Sequence, residues 1–319
     1  MSAYPAGSTA VQLVVVGLGA PVLTGIMRQV RARLEGRVGP GIFQPWRELR
    51  KLAGKERIRP VGTTVIFGVA PLFLAATTLA VAAIVPVVTT ASPLDRDGDL
   101  FAVVGLLLLG TVALALAGLD TGTGFGGMGA SREVTIAALV EPSILMAVFA
   151  LSIPVHSSNL AAIVAAAAHR PESVATPASA LAFAALAIVV VAETGRLPVD
   201  NPNTHLELTM IHEAMVLEYA GPQFALVEWA SAMRLTVLLA LLANLFVPIG
   251  ISGAHSGPVG IVVGTLAVAA KVVVLAMGVA ATEVFLAKLR LFRVPELLAG
   301  SFLLGLLAVT ASYFLATPA

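Results

Sequence analysis

The sequence predicts an all-α integral membrane protein of about eight transmembrane helices, joined by cytoplasmic loops that carry short helices of their own. Three observations carry that prediction. Hydrophobic residues fill 58% of the 319 positions and charged residues only 12%, about half the charged share of an average soluble domain. Apolar stretches recur along the whole chain, each near the roughly 20 residues needed to cross a hydrocarbon core about 30 Å thick. Lysine and arginine, finally, fall almost entirely in alternate connections.

The apolar stretches run over approximately 8–27, 61–88, 100–120, 134–153, 174–192, 229–250, 259–282 and 296–315. The second is long enough to tilt or bend and contains Pro71 and Pro86. In the fifth, the continuous apolar core starts only after Pro177. Connections at 28–60, 121–133, 193–228 and 283–295 share one face, and residues 1–319 read as one membrane domain. Met1–Gly7 holds no Lys or Arg. A cleavable signal peptide needs a positive leading region, so the first helix is expected to be retained.

Orientation follows from the basic residues. The first connection holds Arg28, Arg31, Arg33, Arg37, Arg47, Arg50, Lys51, Lys55, Arg57 and Arg59. With eight spans it shares a side with Arg132, with Arg196 and Arg234, and with Lys288, Arg290 and Arg293. Opposite them stand only Arg96 and Arg170, while Lys271 lies within the seventh helix. Short cytoplasmic loops are the ones enriched in Lys and Arg. The basic loops are therefore expected in the cytoplasm and both termini outside a multi-pass cell membrane protein.

Several chemistries are excluded. No cysteine is present, so this chain holds no disulfide, thiolate nucleophile or cysteine-bound iron–sulfur cluster. Five scattered histidines give no metal set. His212-Glu213 lacks the second His four residues on that a zinc-protease helix requires. Gly122-Thr-Gly-Phe-Gly-Gly follows a membrane helix, with no Lys-Ser or Lys-Thr after it, and reads as a tight turn. No serine has a recognisable base partner, so no catalytic residue is expected. The basic first loop needs no nucleic acid to explain it, since topology already accounts for its charge.

Ionisable groups among the apolar runs need a reason, because each costs roughly 2.5–3.5 kcal/mol to insert. Glu141 lies in the fourth run beside Pro142, Lys271 near the middle of the seventh, and Glu283 at its end. Each is either a buried ion pair or end group, or part of an ion pathway facing the bundle interior. A lysine buried alone tends to lose its charge, so a partner carboxylate is expected for Lys271. In the first loop Phe43, Trp46, Leu49 and Leu52 recur at helical spacing with Arg and Lys opposite. That pattern fits a helix lying at the lipid headgroups and equally a docking surface for a soluble partner.

The 193–228 connection is richest in charge. Thr204 to Glu207 has capping-box spacing and Gly221-Pro222 supplies a stop, which predicts a helix over about 205–219. Around such a helix Glu207 and Glu218 fall within about 20° of each other, with His205, His212 and Glu213 on a different face. Glu207 is either a cap alone or one of several carboxylates close enough to pass protons. Glu193, Arg196 and Asp200 stand at the membrane boundary of the same segment.

Six motifs, in this order, carry a resemblance: Arg37-Val-Gly-Pro-Gly-Ile-Phe-Gln-Pro; Leu119-Asp-Thr-Gly-Thr-Gly-Phe-Gly-Gly-Met-Gly-Ala-Ser-Arg-Glu; Leu139-Val-Glu-Pro; Glu193-Thr-Gly-Arg-Leu-Pro-Val-Asp; Leu217-Glu-Tyr; and Leu286-Ala-Lys-Leu-Arg-Leu-Phe-Arg-Val-Pro. Over nearly its whole length the chain resembles the subunit 1 (NuoH-like) family shared by complex I and group 4 membrane-bound nickel–iron hydrogenases. The formate hydrogenlyase branch is the nearest match.

The resemblance implies a non-catalytic membrane subunit of an oxidoreductase complex. Its implied partners are hydrogenase-like large and small subunits, antiporter-like membrane subunits and the lipid bilayer. No cofactor is implied in this chain; a nickel–iron centre and iron–sulfur clusters belong to the partners. Matched residue by residue, Glu141 falls on the family's fourth-helix glutamate. Glu193, Arg196 and Asp200 fall on its Glu-Thr-x-Arg-x-Pro-x-Asp motif, and Glu207 and Glu218 on later acidic positions. With Glu213, Lys271 and Glu283 from the charge reading, these form the expected proton path. Arg37, Trp46, Arg132, Arg196 and Arg290 are the expected docking residues and charge partners. Where complex I subunits read Asn-Arg-Ala-Pro-Phe-Asp, this chain has Gly195, Leu197 and Val199, which points to the hydrogenase side and makes quinone binding doubtful. A stand-alone ion-coupled transporter is the alternative; it predicts internal symmetry with paired interrupted helices, and no such repeat stands out.

Overall fold

The computed structural model describes residues 4–94, 98–200, 210–253, 257–287, 289 and 293–316. Eleven α-helices follow one another among them: α1 Tyr4–Leu34, α2 Gln44–Ala53, α3 Val65–Ile84, α4 Leu100–Asp120, α5 Gly124–Ser152, α6 Leu160–His169, α7 Pro177–Glu193, α8 His212–Val216, α9 Gly221–Phe246, α10 Pro258–Phe285 and α11 Val294–Ala316. Seven of these, α1, α3, α4, α5, α9, α10 and α11, are long and apolar enough to cross a membrane. The remaining expected span, the fifth, is α7, which has 17 residues, about 25 Å of helix. It starts at Pro177 because Thr176 caps it, accepting a hydrogen bond from Ser179 N at 3.2 Å.

Helix α9 is the central post. Its span is 78% buried, against 22% for α10 and 28% for α11, and it packs on α1, α2, α3, α7 and α10. The run Ala232–Leu245 is buried on every side, as expected of a helix apolar all round. Helix α5 packs on α4, α7 and α11, with Gly126, Ala130, Ala137, Val140 and Ile144 along its buried stripe.

Three expected boundaries move for local reasons. Helix α5 starts at Gly124, ten residues before the expected 134, because Thr123 caps it through Gly126 N at 3.2 Å. Only the turn at Gly122, with φ +65°, separates it from α4. The second span closes at Ile84 instead of 88. Val85 takes an extended ψ of 135°, as a residue preceding proline does. The backbone beyond is held by side chains: Gln12 accepts from Val87 N and Val88 N, and Asn244 donates to the carbonyls of Pro86 and Val87. Irregular backbone at membrane depth needs such partners. Lastly, helix α9 begins at Gly221, so the 193–228 connection is shorter than expected and Glu228 is helical.

Two of the prolines inside the helices, Pro21 and Pro71, become attachment points. A proline leaves the carbonyl four residues earlier without its donor. For Pro21 that is Gly17, whose oxygen accepts from Trp229 Nε1 at 2.8 Å; the next carbonyl, Leu18, accepts from Trp46 Nε1 at 3.2 Å. For Pro71 it is Phe67, whose oxygen accepts from the Tyr219 hydroxyl at 2.9 Å. The Tyr219 ring stacks on Phe67 with centroids 4.1 Å apart, and burial pushes its phenol up, so it stays a donor. Tyr219→Phe should therefore cost about 1–3 kcal/mol by orphaning a buried carbonyl, read as a lower unfolding midpoint in detergent. In a Pro71→Ala background, where the helix supplies the missing donor, the same substitution should cost much less.

Candidate functional site

Charged residues of α1, α2, α5, α8 and α9, and of the end of α7 and the chain after it, meet at one end of the bundle. They surround a cavity of about 550 Å³ between α1, α2, α5, α9 and the chain following α7. Six carboxylates line it: Glu48, Glu133, Glu193, Asp200, Glu213 and Glu228. Six basic groups face them: Arg28, Arg31, Lys51, Lys55, Arg196 and Arg234.

Each is positioned by an identifiable local feature. Glu193 is the last residue of α7, and Gly195 at φ +58° turns the chain back under it. That turn places Arg196 beside Glu283 and Asp200 beneath α8. Asp200 Oδ2 accepts from the backbone N–H groups of Ile211 and His212 at 3.3 and 3.1 Å, and it is buried. His212 lines the cavity, and burial pulls its imidazole below the ordinary value, opposed by Asp200 and reinforced by Arg234. Arg132 donates to Met210 O at 3.0 Å, fixing the same segment against α5.

The Glu193–Arg234 pair closes the inner wall. Arg234 Nη2 bonds Glu193 Oε1, Leu107 O at 2.9 Å and Thr111 Oγ1 at 2.8 Å. Both side chains are about nine-tenths buried, at 11% and 8% exposure. Glu133, two turns before Glu141 on α5, stands within Coulombic reach of Glu193, Arg234 and Asp200. Glu141 is within reach of Glu193 and Arg234. Its Oε1 is buried without a hydrogen-bond partner, about 12 Å further along the helix than Glu133.

Of the residues singled out from sequence, Glu193, Arg196, Asp200 and Glu213 come together on the cavity. Glu283 sits at its edge as a shared ion pair, with Arg31 at 3.3 Å and Arg196 at 3.2 Å. Lys271 corrects an expectation. Its Nζ bonds Asn244 Oδ1 at 2.6 Å and the carbonyls of Val247 and Ile249 at 2.9 and 3.1 Å, in place of a carboxylate. The last carbonyls of α9 lack intrahelical donors, and the negative end of the helix dipole suits a cation. Lys271 therefore lies at the opposite end of α9 from the cavity. Glu218 is exposed on the turn after α8, because that helix ends at Val216 and does not run to 219. Arg37 is exposed and pairs with Glu35, and Trp46 is on α2 against α1. Glu207 and Arg290 lie outside the described residues. So do residues 205–209 of the predicted 205–219 helix; of its described part, only His212–Val216 is helical.

Glu48, Glu133, Glu228 and Arg234 are cavity residues that sequence reading missed as members of a site. Glu133 lies one residue before the expected start at 134, and the glycines upstream argue against carrying the helix back over it. Arg234 was assigned to a loop charge, although it lies inside an apolar run. An ionisable residue in that place is itself a signal.

The NADH dehydrogenase family pattern matches residues 8–313. The chain belongs to that family. Among similar members, formate hydrogenlyase subunit 4 of Escherichia coli (strain K12) is 33% identical over 93% of this chain and 95% of its own length. Hydrogenase-4 component C of the same organism is 35% identical over 75% of this chain and 74% of its own length. In shape, the family fold here matches a chain from the membrane-bound sulfane sulfur reductase, an archaeal respiratory membrane complex. That match has a TM-score of 0.83 at 18% identity and covers 96% and 98% of the two chains.

Proposed function

We propose that this chain is the membrane subunit on which the hydrophilic arm of a formate hydrogenlyase-type or energy-converting hydrogenase-type oxidoreductase sits. Its acidic cavity begins the route by which redox chemistry in that arm drives proton or sodium translocation. The observation that carries this reading is the cavity itself. Six carboxylates gather at one end of the bundle, and the Glu193–Arg234 pair among the lining residues is within Coulombic reach of Glu141, whose Oε1 is buried and unbonded.

In this reading the cavity end, rich in Arg and Lys, faces the cytoplasm and both termini lie outside. Hydrogenase-like large and small subunits hold the nickel–iron centre and iron–sulfur clusters. Antiporter-like subunits receive the charge displacement within the membrane. This chain supplies proton handling and a seat. Gly195, Leu197 and Val199, in place of the complex I pattern, weigh against quinone as its ligand. Glu207, Glu213, Glu218, Lys271 and Glu283 remain proposed members of the pathway. Lys271 and Glu283 are also structural, through the contacts described above.

The test is ion uptake by vesicles containing the whole complex, measured with hydrogen-linked turnover in the same sample. Glu141→Gln should lose most of the ions moved per turnover while keeping turnover itself. Unchanged uptake and turnover would remove Glu141 from the pathway.

A further inference from the structure

Beside the acidic cavity, across α2, lies a groove of about 780 Å³ whose far wall is α9. Leu49 borders both spaces, so α2 is the partition between them. Trp46, Ala225, Leu226 and Trp229 line the groove, and Arg47 and Arg50 stand exposed along it.

Its walls are fixed in advance. Each indole N–H is already spent on α1, Trp229 on Gly17 O and Trp46 on Leu18 O, the two carbonyls beside the Pro21 break. The rings therefore offer the groove apolar faces held at set positions. Among the described residues the arginines meet no carboxylate. Arg47 donates to the neutral Gln44 Oε1, at 3.4 Å. Glu48, the carboxylate of α2, is engaged by Arg28 at 2.6 Å on the cavity side. An apolar slot beside two cations, on a membrane bundle, matches a ligand with a hydrocarbon chain and a negative head. Its size is that of a site for one small amphiphile and not for a protein helix.

We propose that this groove binds an anionic phospholipid, with an acyl chain between the two indoles and its phosphodiester at Arg47 and Arg50. A lipid seated there completes the wall that α2 makes between bilayer and cavity.

The two tryptophans of the chain are Trp46 and Trp229, so its intrinsic fluorescence reports on this groove directly. The full chain is reconstituted in phosphatidylcholine vesicles doped with brominated phosphatidylglycerol or, separately, brominated phosphatidylcholine. Quenching by the anionic lipid should reach half its maximum at a mole fraction roughly tenfold lower, given what two basic residues near an anionic headgroup contribute. The preference should vanish in an Arg47→Gln/Arg50→Gln double variant. Equal quenching by the two lipids in the unaltered chain, which requires no variant to fold, would overturn the proposal. So would a preference that survives the double variant. Displacement of the brominated lipid by a stoichiometric isoprenoid quinone, but not by excess phosphatidylglycerol, would assign the groove to quinone and equally overturn it.

Discussion

Glu193→Gln should destabilise the folded chain by about 3–5 kcal/mol, the cost of stripping one charge from a buried ion pair. The substitution keeps shape and hydrogen-bonding capacity and removes only the charge. What remains is Arg234, buried at 9% exposure, and a guanidinium cannot discharge itself by losing its proton. Removing the other partner is milder, since a carboxyl group left alone can take up a proton. The double variant Glu193→Gln/Arg234→Met should therefore recover part of the loss, giving a coupling well outside the additive range. Unfolding of the purified chain in detergent measures all three. Strict additivity would mean that the two groups do not form the pair described.

Gly25→Ala should be nearly as damaging, although alanine is ordinarily the better helix residue by about 1 kcal/mol. A Cβ at Gly25 would stand 1.8 Å from the Ile42 carbonyl oxygen and 2.7 Å from its carbon. Both atoms are backbone, so the loop leading into α2 has to move. That loop is otherwise tied to α1 through Gln29, whose Oε1 accepts from Gly41 N at 3.2 Å. Displacing it carries α2 away and loosens the Arg28–Glu48 and Trp46–Leu18 contacts. The cavity loses one wall. Overpacking costs typically 1–3 kcal/mol and sometimes more; a backbone clash belongs at the upper end. Gly19→Ala is the matched control, with nothing within 4 Å of its Cβ, and should be neutral or slightly stabilising. The comparison uses unfolding midpoints and the yield of complex co-purified with partner subunits. Equal behaviour of the two variants would place Ile42 further from α1 than described.

Much of the fold was legible because burial in lipid leaves a coarse signal. Seven runs of the right length and apolarity became seven helices, and the amphipathic stretch of the first loop became α2. What composition could not show is where backbone needs override it. A threonine cap started α5 across a glycine-rich segment, and Pro86 ended α3 within an apolar run. The 17-residue α7 fell just short of a full span.

The site was half legible. Glu193, Arg196 and Asp200 stand out as charges at a membrane boundary, and they do line the cavity. Glu133 and Glu228 do not stand out, because each is the last residue of an expected loop and looks like an ordinary loop acid until its helix is seen to begin a few turns earlier. Lys271 was legible as unusual and still misread. A helix C-terminus can satisfy a buried cation as well as a carboxylate can, and only the meeting of α9 with α10 reveals which is used.

If the cavity carboxylates couple a redox arm to ion movement, as proposed, they change protonation when that arm turns over. Infrared difference spectra of the whole complex, oxidised minus reduced, record this directly. A carboxyl C=O band is expected that shifts in heavy water and is lost in Glu133→Gln or Glu193→Gln, while partner signals persist. A difference spectrum with no carboxyl band, or one unaltered by both variants, would contradict it.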